Sequence, residues 1–338
     1  MQKLVNSGSE GLRKTVNISD LGSAPLVELV KHPNKDGGIL AFKVIDQGGG
    51  IGKVSLVING KEVSNDLTQS RSAAAEKLIE YDIKGHPYLF DAKPSRISIK
   101  AYNKDASIGS EPKNIFVLPT SDQKTAIKPK IFAIVIGTAD YAEDEMDLKY
   151  AAKDATDFAA ALRISSSNLI GGENMNLTVL TTDRPENEWP TKDNIRKTFE
   201  KYATEASARD YLIVYMAGHG VNSGGEDGDF YYLTCTAKDG KVFEQETREK
   251  HAISSYEFTE YIKSVPALNQ VMIVDACHSG TLTSAFGKEK VSKTMSSEEV
   301  KAYERMKDRT GIFLLAGSAA DAVSYETTLY GQGLLTYA

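Results

Sequence analysis

The hydrophobic rhythm of the chain changes once, near residue 120. Before that point apolar positions come in short runs with strand-like spacing. Gly38-Ile-Leu-Ala-Phe-Lys-Val-Ile45 is one such run. Val54-Ser-Leu-Val-Ile58 and Lys61-Glu-Val63 flank Asn59-Gly60, a dipeptide that supplies the positive φ angles of a two-residue hairpin. Arg96-Ile-Ser-Ile-Lys-Ala-Tyr102 alternates with period two and reads as a half-buried strand, and Asn114-Ile-Phe-Val-Leu118 closes the region. Pro119 to Lys130 is polar and bounded by prolines, as a linker would be.

Beyond the linker, apolar runs alternate with helical periodicity. Ile131-Phe-Ala-Ile-Val-Ile136 predicts a buried strand. Asp147 to Arg163 predicts a helix with Leu148, Ala151, Ala152, Ala155, Ala159 and Leu162 on one face. A strand at Leu177–Leu180, a helix at Lys192–Tyr202, a strand from Tyr211, a helix at Ser255–Ser264, a strand from Gln270 and a fifth strand at Ile312–Ala316 follow. Such alternation implies a mostly parallel sheet with helices on both faces. The short strands of the first part predict an all-β sandwich of immunoglobulin-like type. The expected organisation is therefore a sandwich at 1–122 ahead of an α/β domain at 130–338.

Composition narrows the function. The 338 residues carry a net charge of −6, which disfavours a nucleic-acid partner. No stretch approaches the roughly 20 apolar residues of a membrane helix, and Met1 to Glu10 has no apolar core of a signal peptide. There are two cysteines, Cys235 and Cys277, so no disulfide framework is expected and a reducing, cytoplasmic setting fits. Gly48-Gly-Gly-Ile-Gly-Lys53 is not a phosphate loop, because a strand rather than a helix follows it.

Two runs carry candidate chemistry. Tyr211-Leu-Ile-Val-Tyr-Met-Ala-Gly-His219-Gly220 and Gln270-Val-Met-Ile-Val-Asp275-Ala-Cys277-His-Ser-Gly280 are buried-strand patterns, each ending in a reactive side chain flanked by glycine. In open α/β sheets, reactive groups collect past the carboxyl ends of the strands. A thiol beside an imidazole is the minimal apparatus for nucleophilic attack on a carbonyl. His219 would take the thiol proton and return it to the leaving amine.

These residues resemble the caspase-like cysteine peptidases over about residues 130 to 338. Gly218-His219-Gly220 is similar to their histidine motif. Asp275-Ala-Cys277-His-Ser-Gly is similar to the cysteine motif of metacaspases and bacterial orthocaspases, rather than to the Gln-Ala-Cys-x-Gly of animal caspases. The 58-residue separation also fits. The run from Gly49 to Gly60 resembles small sandwich domains that accompany bacterial caspase-like peptidases. The resemblance implies an oxyanion hole from the amides of Gly220 and Cys277. Leu148-Lys-Tyr-Ala-Ala-Lys-Asp154-Ala resembles the metacaspase motif Leu-x-x-Cys-x-Asn-Asp-Ala, with Ala152 and Lys153 in place of Cys and Asn. By that likeness Asp154 and Asp275 line a primary pocket for Arg or Lys. The alternatives are a solvated helix carboxylate for Asp154 and an acceptor of loop amides for Asp275. Ser318 is carried over as a substrate contact.

Ser284 to Gly311 reads as a long basic loop, the connection where many caspase-like enzymes are cut on activation. Lys288, Lys290, Lys293, Arg305, Lys307 and Arg309 are the expected cut sites, although Ser296 to Arg309 also has helix-forming character. Asp227-Gly-Asp229 is similar to a thinned calcium-binding stretch. With Glu226 it falls short of the six to eight oxygens calcium takes, so a surface turn is expected, with no metal and no cofactor. His278 is expected in a loop, and Cys235 as a packed small hydrophobe. Gly333 to Ala338 reads as the opening of a further helix. The expected function is cleavage of proteins or peptides after Arg or Lys, with a regulatory protein partner on the N-terminal domain. The competing expectations are an inactive caspase-like scaffold and a thiol hydrolase of small esters.

Overall fold

The computed structural model describes residues 22–35, 37–68, 74–119, 128–223, 229–278, 297–316, 326–327 and 332–333. The chain divides into two compact units, one of residues 1–58, 62–86 and 93–119, the other of residues 59–61, 87–92 and 120–338.

The first unit is built on strands β1 (Leu26–Lys31), β2 (Ile39–Ile45), β3 (Val54–Ile58), β4 (Lys61–Ser64), β5 (Glu76–Asp82), β6 (Ser95–Ala101) and β7 (Lys113–Val117). They form two sheets, β1-β2-β5 and β4-β3-β6-β7. The paired strands are antiparallel. Alternation sets the buried faces: Val54, Leu56 and Ile58 of β3 oppose Ala101, Ile99 and Ile97 of β6, and all six are buried. The turn between β3 and β4 has φ of 51° at Asn59 and 89° at Gly60, the left-handed values the dipeptide was expected to supply. β1 and β5 escape a reading by pattern, because most of their side chains are exposed.

The second unit runs β8 (Ile131–Gly137), α1 (Ala151–Leu169), β9 (Met175–Thr181), α2 (Lys192–Glu205), β10 (Tyr211–Asn222), β11 (Phe230–Leu233), β12 (Ala252–Ser254), α3 (Ser255–Ser264), β13 (Asn269–His278), α4 (Ser297–Thr310) and β14 (Phe313–Ala316). Five strands form a parallel sheet in the order β9-β8-β10-β13-β14. Residues 211–217 of β10 pair with β8, while Gly220, Val221 and Asn222 pair antiparallel with β11, which in turn pairs with β12. One face of the sheet, with Ile134, Val214, Met216 and Met272, packs on α2, α3 and α4. The other face, with Val135, Tyr215, Ala217 and Ile273, packs on α1. This is a large parallel sheet flanked by helices. Among the described residues no helix is long and apolar enough to cross a membrane.

Two boundaries differ from the sequence reading. Helix α1 starts at Ala151, not Asp147, because the preceding residues are tied into a loop: Asp147 Oδ1 accepts from the Tyr141 amide (2.8 Å), and the Leu148 amide donates to the Ala139 carbonyl (2.8 Å). The basic stretch from Ser284 to Gly311 is not all loop. Residues 297–310 form α4, whose Ala302, Tyr303 and Met306 are buried in the core.

Candidate active site

The site is built at the carboxyl end of the parallel sheet, where β8 and β10 lead to connections on opposite sides. That is the switch point where open α/β sheets bind ligands. His219 sits on β10 between its two pairing regimes, after β8 has ended at Gly137 and before β11 begins. On its other side β10 runs parallel to β13 in unbroken register, from Tyr211 opposite Asn269 to Gly220 opposite His278. His219 is thereby the register partner of Cys277. Neighbouring strands lie about 4.8 Å apart, so the two backbones are adjacent.

The imidazole is 8% exposed and held by the loop after β8. Its Nε2 lies 2.7 Å from the Met146 carbonyl oxygen. A carbonyl only accepts, so Nε2 carries the proton, and Nδ1 is the basic nitrogen of the neutral ring. Tyr141 stacks obliquely on the ring, centroids 5.0 Å apart, and its hydroxyl accepts from the His219 amide at 2.8 Å. Tyr232 on β11 completes the support. Its buried hydroxyl lies 2.8 Å from Thr138 Oγ1 and donates to the Ala217 carbonyl at 2.9 Å. Burial pushes its pKa up, so it stays a neutral donor. Gly218 is required here: a Cβ at this position would lie 2.8 Å from the Tyr232 hydroxyl and 3.1 Å from that of Tyr141.

Asp275 is in register with Ala217 on β10, which is in register with Gly137 on β8. Register partners in a parallel sheet share a face, so Asp275 lies on the face covered by α1, with Ala217. The reason α1 comes so close is Gly137. A Cβ there would lie 2.5 Å from the Ala151 carbonyl and 2.6 Å from the Ala155 Cβ. Asp154 belongs to this same first turn of α1 and is 3% exposed; it is buried, not solvated. Asp275 is also buried. The structure thus brings Asp154, Asp275 and His219 to one end of the sheet, with Cys277 beside His219 in register.

Other candidates fall elsewhere. Gly220 is the register partner of both Tyr232 and His278, so it lies within the sheet rather than past its edge. His278 is likewise a residue of β13, not of a loop. Arg305, Lys307 and Arg309 lie on α4, where Arg309 pairs with Glu260 (2.8 Å) and stands 5.4 Å from the Tyr256 ring centroid. A closed helix is not the extended backbone that a peptidase cuts, so these three do not sit on an accessible loop. Ser318, Lys288, Lys290, Lys293, Glu226 and Asp227 lie outside the described residues. Asp229 is engaged by the Ser255 hydroxyl and the Phe230 amide. Among the described residues no group of three or more His, Cys, Asp or Glu could hold a metal ion. Cys235 is buried with a free thiol, and burial pushes its pKa up to about 11, so it is no nucleophile at neutral pH. Sequence reasoning missed Tyr141, Met146 and Tyr232. The available signal for the first two was their place directly after the strand at the switch point.

The profile of the caspase domain matches residues 130–336. The chain belongs to the caspase domain family. This is a family of cysteine peptidases acting on proteins, and the fold described above fits it. No curated protein matches the chain. Among solved structures, a protein of Geobacter sulfurreducens shares 19% identity at a TM-score of 0.40, covering 62% of this chain and 80% of that one. A mutant of the minor pilin PilB from Streptococcus sanguinis shares 11% identity at a TM-score of 0.31, covering 79% and 83%. Neither likeness is close enough to bear on function. In the caspase domain of this chain, the candidate site lies within the matched region.

Proposed function

We propose that this chain is a cysteine endopeptidase of metacaspase or orthocaspase type that cleaves proteins after Arg or Lys, with Cys277 as nucleophile and His219 as its base. The observation that carries the reading is the register of β10 and β13, which sets His219 opposite Cys277 in a caspase domain. His219 takes the thiol proton at Nδ1, since Nε2 is committed to the Met146 carbonyl. The thiolate attacks the scissile carbonyl, and the imidazolium protonates the leaving amine. Water then hydrolyses the acyl-enzyme.

Asp154 and Asp275 supply specificity. Two carboxylates buried on one face of the sheet make a site suited to a cation. An Arg or Lys side chain before the scissile bond is such a cation, and Ser318 is a further substrate contact. Activation by cleavage in the 284–311 connection is confined to Lys288, Lys290 and Lys293, ahead of α4. The domains are proposed as 1–122, an immunoglobulin-like sandwich that receives a regulatory protein, and 130–338, the peptidase. Two antiparallel sheets of three and four strands support the sandwich. A thiolate enzyme with a free buried second cysteine suits the reducing cytoplasm.

Cleavage profiling on a peptide library tests the proposal. Preference for Arg or Lys before the cut supports it. Preference for Asp, or hydrolysis of simple esters without peptides, overturns it.

A further inference from the structure

The far edge of the parallel sheet, away from the candidate active site, carries a second feature. Among the described residues β9 pairs with β8 alone, so its other edge is unpaired. A recess of about 520 Å³ opens there, with Leu177, Thr178, Val179 and Leu180 in its wall. Side chains of a strand alternate between faces, so four consecutive residues line one recess only where it runs along the strand's edge. Every second residue of β9 turns its amide and carbonyl away from β8, so the recess borders unpaired main-chain donors and acceptors that template another strand.

The rest of the wall is polar, and its charged residues are mostly basic. Arg163 from α1, Arg184 from the turn after β9, and Lys197 and Lys201 from α2 line it, against one carboxylate, Glu188. Glu188 pairs with Arg184 (2.7 Å), and Asp193 pairs with Lys197 (2.6 Å). Arg163 and Lys201 have no carboxylate partner among the described residues.

We propose that this recess is a docking site for an extended acidic segment of a partner protein, which adds as a strand to β9. The outward main-chain groups within 177–180 call for another main chain, since only a peptide repeats their donor and acceptor spacing. The cations call for Asp or Glu side chains on that peptide. A polyanion such as polyphosphate would satisfy the charges but not the edge. A merely protective role, lysines guarding an open edge against aggregation, would bind neither. This inference is independent of the peptidase reading.

The test uses the full chain carrying Cys277→Ala, so that no probe is cut. A fluorescein-labelled octapeptide of alternating Glu and Val is titrated by anisotropy, beside a Lys-Val octapeptide and inorganic polyphosphate. Backbone amide exchange is followed in parallel. The Glu-Val peptide is expected to bind, more weakly as salt rises, to slow exchange at 177–180, and to lose about tenfold or more in affinity with Arg163→Glu plus Lys201→Glu. Both residues are exposed, so the double variant should fold, and its circular dichroism checks that. Failure of the Glu-Val peptide to bind, binding without protection at 177–180, equal binding of the Lys-Val peptide, or protection at 177–180 by polyphosphate would each overturn the proposal.

Discussion

His219 and Cys277 are register partners on adjacent parallel strands. Each stands the same distance from the start of its strand, and the strands begin opposite one another at Tyr211 and Asn269. Two motifs 58 residues apart in the chain are thus brought together by strand pairing alone, through a connection that includes β11, β12 and α3.

If that pair is the catalytic machinery, Cys277→Ala abolishes cleavage of a fluorogenic Arg peptide without changing the far-ultraviolet spectrum. His219→Ala loses about 10² to 10⁴ in kcat. A Cys277→Ala protein that keeps most of its turnover would rule out this nucleophile.

Asp275→Asn separates recognition from chemistry. Losing one partner of a buried charge pair costs about 3–5 kcal/mol, more than a hundredfold in kcat/KM for Arg substrates. Alkylation of Cys277 by neutral iodoacetamide should change far less. Equal losses in both assays would mean that Asp275 holds the active-site loop instead of the substrate.

Gly137→Ala places a methyl group within 2.6 Å of the first turn of α1, against backbone as well as side chain. Overpacking of this kind costs about 1–3 kcal/mol, read as a lower denaturation midpoint. Because Asp154 rides on that turn, KM for an Arg peptide should rise more than kcat falls. Wild-type stability and KM would show that α1 can yield without consequence.

Tyr141→Phe removes the acceptor of the His219 amide. A buried N–H left unsatisfied costs about 1–3 kcal/mol. The tyrosine touches the histidine backbone, so the expected signature is a lower kcat at nearly constant KM. A KM effect alone would place Tyr141 in substrate binding.

Cys235 should resist alkylation in the native protein at neutral pH, leaving one reactive thiol, and react after denaturation. Burial holds its thiol neutral up to about 11. An unfolded thiol ionises from about 8.5. The stability this buried neutral group contributes is therefore fully present below that value and falls as pH climbs towards 11. A Cys235→Ala variant should flatten that alkaline decline in thermal melts.

Periodicity and punctuation determined a good deal by themselves. The runs from Ile131, Tyr211 and Gln270 are continuous and apolar because strands buried on both faces contact only other apolar groups, and that is legible without a structure. Asn59-Gly60 announced its turn because few residue pairs tolerate two positive φ angles. The histidine and cysteine motifs were legible because reactive side chains stand where such strands end. Tertiary structure alone decided what depends on distance. Asp154 reads locally as one more charge on a helix, and only the close approach of α1 over Gly137 buries it on the face that carries Asp275. The Met146 carbonyl carries no side-chain signal, since any residue could supply it, and Tyr232 reaches Ala217 only because β11 folds back on β10. The stretch that holds the helix at 297–310 read as a basic loop with helix-forming character because its surface residues are charged, and its buried positions matter only once a sheet face lies beneath them. Pattern records which side chains avoid water; which backbone stands next to which is settled by packing.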